Sequence, residues 1–182
     1  NKKEIPVVLD VCGAGATEFR NEECERILSR VHVNILKGNS SEIASIAGEQ
    51  VKTRGVDAGE VSADLRELGK KLASKTGCTV VITGKNDIIV DQYGTLYMVQ
   101  NGHEMMGYVV GTGCMAASVI GTFAAVEKEY AFASAAGLAM YEIAAELAVE
   151  EAKGPGTFKQ VLLDKIFSLS KTQVESRQRI TG

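Results

Sequence analysis

Residues 78–83, Cys78-Thr79-Val80-Val81-Ile82-Thr83, form a continuous β-branched run with no in–out alternation of charge. Such a strand has no face to offer water, so it requires helices on both sides and hence a layered α/β fold. Pro6-Val7-Val8-Leu9-Asp10 has the same character, and Ile5 to Leu9 is expected to be a central parallel strand, apolar on both faces. A shorter strand is expected over Val31 to Lys37. Helical spacing of apolar residues runs through Asn21 to Val31, from Asn39 through Ile43, Ile46, Ala47 and Val51, and from Glu60 to Ser74, stopping at Gly77. Asp87 to Asp91 and Thr95 to Val99 flank Gln92-Tyr93-Gly94 and predict a hairpin. The remainder predicts helices over Cys114 to Lys128, Ala131 to Glu151 and Phe158 to Leu169, the last two separated by Gly154-Pro155-Gly156. The expected architecture is α/β, with a mostly parallel central sheet flanked by helices and a helical C-terminal part. No linker interrupts the 182 residues, so a single domain over 1–182 is expected.

Charge and composition remove several function classes. A net charge of −3 disfavours a nucleic-acid backbone or an anionic membrane as partner. No apolar run in the sequence reaches the roughly 20 residues of a membrane span. Asn1-Lys2-Lys3-Glu4 leads directly into an apolar strand without a signal-peptide pattern. The four cysteines, Cys12, Cys24, Cys78 and Cys114, show no C-x-x-C pairing, which argues against structural zinc and fits a reducing cytoplasm. Cys12, Cys24 and Cys78 lie in apolar stretches and are expected to pack.

Gly111-Thr112-Gly113-Cys114 then runs into a long helix of small residues. Unpaired N–H groups and the positive end of the dipole make such a helix start an anion site, and glycine lets a ligand approach the backbone. A cysteine in the first helical turn suits a general base, because that environment favours the thiolate. Its alternative role is a small buried helix residue. No G-x-x-x-x-G-K-[ST] loop is present, and Gly13-Ala14-Gly15 lacks the third glycine of a dinucleotide site. In a parallel α/β sheet, ligands lie beyond the carboxyl ends of the strands, which singles out Asp10, Lys37 and Thr83.

Several segments in order resemble one family. They are Leu9 to Arg20, Lys37-Gly38-Asn39-Ser40-Ser41-Glu42-Ile43, Gly55-Val56-Asp57, Val81-Ile82-Thr83-Gly84 with Asp87, Asn101-Gly102-His103, Gly111 to Cys114 and Gly154 to Phe158. The chain resembles the hydroxyethylthiazole kinases of the ribokinase-like superfamily over nearly its whole length. That resemblance implies ATP- and Mg²⁺-dependent phosphorylation of the hydroxyl of 4-methyl-5-(2-hydroxyethyl)thiazole in thiamine synthesis or salvage. It also implies a homotrimer with active sites between subunits.

Carried over residue by residue, the resemblance makes Gly111 to Cys114 the anion hole, Cys114 the base and Gly111 a thiazole contact. Lys37, where the family commonly has arginine, Asn39, Thr83 and Gly113 are expected to bind ATP. Asp10 and Glu42 are expected to hold Mg²⁺ through water. Glu42 also has capping-box spacing from Asn39, and the two roles are compatible. Thr83 reads equally as an ordinary strand residue. Asn101 and His103 are assigned no role beyond a turn. Asp10-Val11-Cys12 lacks the family's proline, and Val110 stands where threonine commonly precedes the turn. The family's N-terminal segment is missing upstream of Asn1, so a trimmed or naturally short chain is expected. The alternatives are a non-catalytic nucleotide-binding fragment or paralogue and a related ribokinase-like small-molecule kinase.

Overall fold

The computed structural model describes residues 2–49 and 58–182. Gly55-Val56-Asp57 and Val51 lie outside the described residues. The elements in order are β1 (Val8–Asp10), α1 (Glu18–Arg30), β2 (Ile35–Asn39), α2 (Ser40–Ala47), α3 (Ala58–Thr76), β3 (Thr79–Thr83), β4 (Asp87–Val90) and β5 (Leu96–Val99). A 3-10 turn (Glu104–Tyr108), α4 (Thr112–Val126), α5 (Tyr130–Glu151), α6 (Pro155–Ser168), α7 (Lys171–Arg177) and β6 (Ile180–Thr181) follow.

The β-branched run becomes β3, and helices cover both its faces as expected. Successive side chains on a strand point to opposite sides, and the core divides accordingly. Ile35, Val81, Ile89 and Val99 pack with Ile120, Leu138, Tyr141 and Phe158 of α4, α5 and α6. Leu36, Val80, Ile82, Ile88 and Val90 pack with Ile43, Leu65, Leu68 and Leu72 of α2 and α3. Full burial of one such side chain is worth about 1.5–3 kcal/mol, so these clusters supply the main driving force.

The sheet is mixed. Its strand order is β1-β2-β3-β4-β5-β6, with β1, β2 and β3 parallel and the pairings from β3 to β6 antiparallel. The β3–β4 and β4–β5 pairings are antiparallel because their short connections cannot reach a parallel register, whereas β6 returns to β5 only after α4 to α7. Asp91 shapes the β4–β5 turn by accepting the N–H groups of Tyr93 and Thr95, both at 2.9 Å. Among the described residues β1 pairs with β2 alone and is half-buried. The registers Asp10↔Lys37 and Asn39↔Thr83 bring the carboxyl ends of β1, β2 and β3 to one sheet end. The hairpin returns Asp87 to that same end, opposite Val99.

Two other expectations change. α5 spans 22 residues and is apolar enough to pass for a membrane span, yet it is the core helix, with most of its residues buried inside the fold. Its small side chains let α4 and the sheet approach closely. Cys12 is exposed and is no packing residue, whereas Cys78 is buried and its thiol donates to the Val33 carbonyl at 3.2 Å.

α3 approaches the sheet through Gly69, where a Cβ would stand 2.8 Å from Val90 Cγ1. Gly69→Val should therefore push α3 off β4 and lower the unfolding free energy by about 1–3 kcal/mol, read from urea denaturation.

Candidate functional site

At the shared strand end a cleft of about 980 Å³ opens. Lys37 and Asn39 of β2, Thr83 to Asp87 between β3 and β4, Gln100 to Glu104 after β5, and Thr112, Gly113 and Ala116 of α4 contribute to its wall.

Lys37 is the most informative member. It is 4% exposed, and its Nζ is 3.1 Å from Asp10 Oδ2. The same ammonium stands 3.3 Å from the point where a Cβ on Gly113 would be. Glycine at that position lets the turn close over a buried cation. Isolated burial of a lysine is costly, and Asp10 offsets that cost.

The turn that opens α4 is held from three directions. Gly111 is the N-cap with φ 100°, a left-handed conformation that favours glycine, and it makes no side-chain cap bond. The first amides of α4 therefore remain available to an anion. Thr112 Oγ1 donates to the carbonyls of Met106 and Val109, at 2.9 and 3.1 Å. Tyr141 of α5 donates its hydroxyl to the Thr112 carbonyl at 3.1 Å. Burial pushes the Tyr141 phenol up, so it keeps this proton.

Glu42 organises the two glycine-bearing segments. Its Oε1 accepts the N–H of Gly13 and its Oε2 the N–H of Asn39, each at 2.8 Å, while Asn39 Oδ1 accepts the N–H of Glu42 at 2.9 Å. This is the capping box that the spacing suggested, extended to a second loop. Gly38 is required beside it, since a Cβ there would lie 2.8 Å from Val11 Cγ2. Thr83 Oγ1 donates to the Gly38 carbonyl at 3.3 Å and so ties β3 to β2 at the cleft.

Of the expected site residues, Lys37, Asn39, Thr83 and Gly113 line the cleft together. Asp10 reaches it through Lys37, and Glu42 supports it from behind. Cys114 is exposed, which removes its buried alternative, and with Gly111 it lies outside the cleft lining. Among the described residues no three acidic, histidine or cysteine side chains converge as a metal cage.

Several contributors were given no site role from the sequence. Asn101 Nδ2 donates to Glu146 Oε1 and to the Arg177 carbonyl, at 3.2 and 3.0 Å, and Asn101 Oδ1 accepts the N–H of Arg179 at 2.8 Å. Gly102, at φ 102°, donates its N–H to Glu146 at 2.8 Å. His103 caps the 3-10 turn. Asn101 and Gly102 thus clamp the cleft wall to α5 and the C-terminal segment. Asp87 and Glu142 are buried acids in the lining, and only the fold brings them together.

The fold has solved counterparts. A hydroxyethylthiazole kinase from Pyrococcus horikoshii aligns with a TM-score of 0.86 and 37% identity, covering 100% of this chain and 66% of that one. An ADP/ATP-dependent NAD(P)H-hydrate dehydratase from Bacillus subtilis, co-crystallised with ATP/Mg²⁺, shares the fold at a TM-score of 0.53 and 18% identity. That alignment covers 72% of this chain and 47% of the dehydratase. Sheet, cleft and glycine turn together define a ribokinase-like α/β protein. The profile of the Hydroxyethylthiazole kinase family matches residues 1–172, and the chain belongs to that family. Hydroxyethylthiazole kinases of Methanosarcina acetivorans and Methanosarcina mazei are 49% and 48% identical to it. They align over 97% and 99% of this chain and 67% and 69% of their own lengths, so the chain spans about two thirds of these relatives.

If Glu42 acts as the cap, its effect is independent of metal. Glu42→Ala should lower the unfolding free energy by about 1–2 kcal/mol in the presence of EDTA, measured by denaturant titration.

Proposed function

We propose that the chain transfers the γ-phosphoryl group of ATP to the hydroxyl of hydroxyethylthiazole. One observation carries this reading: the buried Lys37 ammonium is directed at the uncapped amide turn that opens α4, on the rim of a cleft. A helix start and a fixed cation meeting at one point suit the charge of a phosphoryl group in transfer.

The two flanks of the turn suit the two substrates. Thr112, Gly113 and Ala116 line the cleft. Successive helical residues are about 100° apart, which puts Cys114 on the flank turned away from Thr112. ATP in the cleft and an alcohol beside Cys114 and Gly111 would approach the transferred group from opposite sides, as in-line displacement requires. The alcohol oxygen attacks the γ-phosphorus, the bond from that phosphorus to the β,γ-bridging oxygen breaks, and ADP leaves. Cys114 takes the hydroxyl proton. Lys37 contacts the phosphates, with Asn39, Thr83 and Gly113 completing the nucleotide site.

Mg²⁺ would neutralise charge on the β- and γ-phosphates. With each oxygen of Glu42 already accepting a backbone N–H and Asp10 paired to Lys37, these residues fit an ion held mainly by water and phosphate oxygens. Both carboxylates would then hold it through water.

A homotrimer with its sites at subunit interfaces agrees with the exposed Tyr108 and Val110 beside Gly111, at 70% and 95% exposure. A cytoplasmic setting agrees with free thiols at all four cysteines. Residues 1–182 are read as a single ribokinase-like domain.

The deciding assay is ATP/Mg²⁺ phosphorylation of hydroxyethylthiazole by this chain and by any longer chain containing it. Thiazole phosphate formed with equimolar ADP supports the reading; ATP binding without product from either chain overturns it in favour of a non-catalytic nucleotide binder. Cys114→Ala should lower kcat by about 10²-fold without abolishing turnover, because positioning and charge stabilisation remain. Cys114→Asp should retain activity, and its complete loss in a folded protein would remove the base role.

A further inference from the structure

The cleft contains a pair of acids that phosphoryl transfer does not use. Asp87 opens β4 and Glu142 lies in the middle of α5; they are 2% and 7% exposed. Asp87 Oδ1 accepts the N–H of Gly84 at 2.9 Å. Written as two carboxylates, Asp87 Oδ2 and Glu142 Oε2 are both buried acceptors with no donor among the described residues. Yet the two side chains are within hydrogen-bonding reach of each other. A single proton between them resolves both orphaned oxygens at once, whereas two adjacent buried charges would be strongly unfavourable.

We propose that Glu142 and Asp87 share one proton, Glu142 donating to Asp87, and that this bond positions the two turns walling the cleft for nucleotide. The positioning half rests on the kinase reading of the cleft. One turn is Thr83–Gly84, held by Asp87 through the Gly84 amide. The other is Asn101–Gly102, whose glycine packs directly on Glu142: a Cβ on Gly102 would stand 3.4 Å from Glu142 Cδ.

The direction of proton sharing follows from the surroundings. Burial pushes both groups up, and for Glu142 the neighbouring Asp87 pushes further in the same direction. Lys37 of β2 faces Asp87 and favours its charged form. Glu146 and Arg179 face Glu142 with opposite effects, and Tyr141 is beside it. Lys85, His103 and Glu104 are the remaining titratable side chains of the cleft wall. Asp87 is thus the acceptor and Glu142 the proton holder. An acid whose folded pKa is raised contributes stability that is complete below the ordinary carboxylate range. That contribution is lost progressively as pH rises toward the folded value.

Melting temperature and ATP affinity measured from mildly acidic to alkaline pH test both halves, with Glu142→Gln and Glu142→Ala beside the wild type. The glutamine amide supplies a donor that never titrates, so E142Q should flatten the decline of melting temperature that begins above the carboxylate range and the alkaline decline of ATP affinity. E142A leaves Asp87 without its donor and should raise the KM for ATP about tenfold, with a smaller change in kcat. E142Q should restore the affinity that E142A loses. If E142A fails to fold, the comparison of E142Q with wild type decides alone. A wild-type pH dependence in E142Q overturns the shared proton, and wild-type ATP affinity in E142A overturns the positioning role. A wild-type protein that binds no nucleotide overturns the kinase reading and the positioning role together. The melting curves still decide the shared proton in that case.

Discussion

Two-sided burial of β2, β3 and β4 is the constraint from which the rest of the structure follows. Residues 35 and 36, 80 to 82 and 88 to 90 are buried on alternate faces, so neither face of the sheet can hold polar chemistry. Charge is driven to the strand ends. There Lys37, the last buried side chain of its strand, finds Asp10 on the neighbouring strand and the α4 turn above it. The cleft is the place where the apolar core stops and backbone amides take over.

What the sequence revealed divides along the range of the interactions involved. The run of Cys78 to Thr83, the hairpin around Gly94 and the Asn39 cap are decided within a few residues, and all three can be read from local pattern. Gly111 to Cys114 was legible for the same reason, since a helix start is a local event. α7 and β6 were not: Ile180–Thr181 is a strand only because β5 offers it an edge. α5 has the composition of a membrane span, and only its packing against the sheet and α4, α6 and α7 identifies it as core.

The site was legible in its residues and hidden in its architecture. Lys37 could be placed at a strand end, but not its approach to Gly113, 76 residues along the chain. Glu42 could be read as a cap for Asn39, whereas its second bond, to Gly13, depends on α2 packing beneath the loop after β1. Asp87 and Glu142 are separated by an entire β–α succession, and no spacing rule joins them. Each acid alone resembles a surface residue; burial and mutual contact give them their character.

The Asn101 clamp has a consequence for what the cleft wall depends on. Its bonds to Arg177 and Arg179 close loops of 76 and 78 residues, among the longest that any side chain here spans. Closing so long a loop is entropically unfavourable until the intervening helices have docked. One wall of the cleft is therefore held by the far end of the described chain, and its shape depends on segments that the sheet centre does not need.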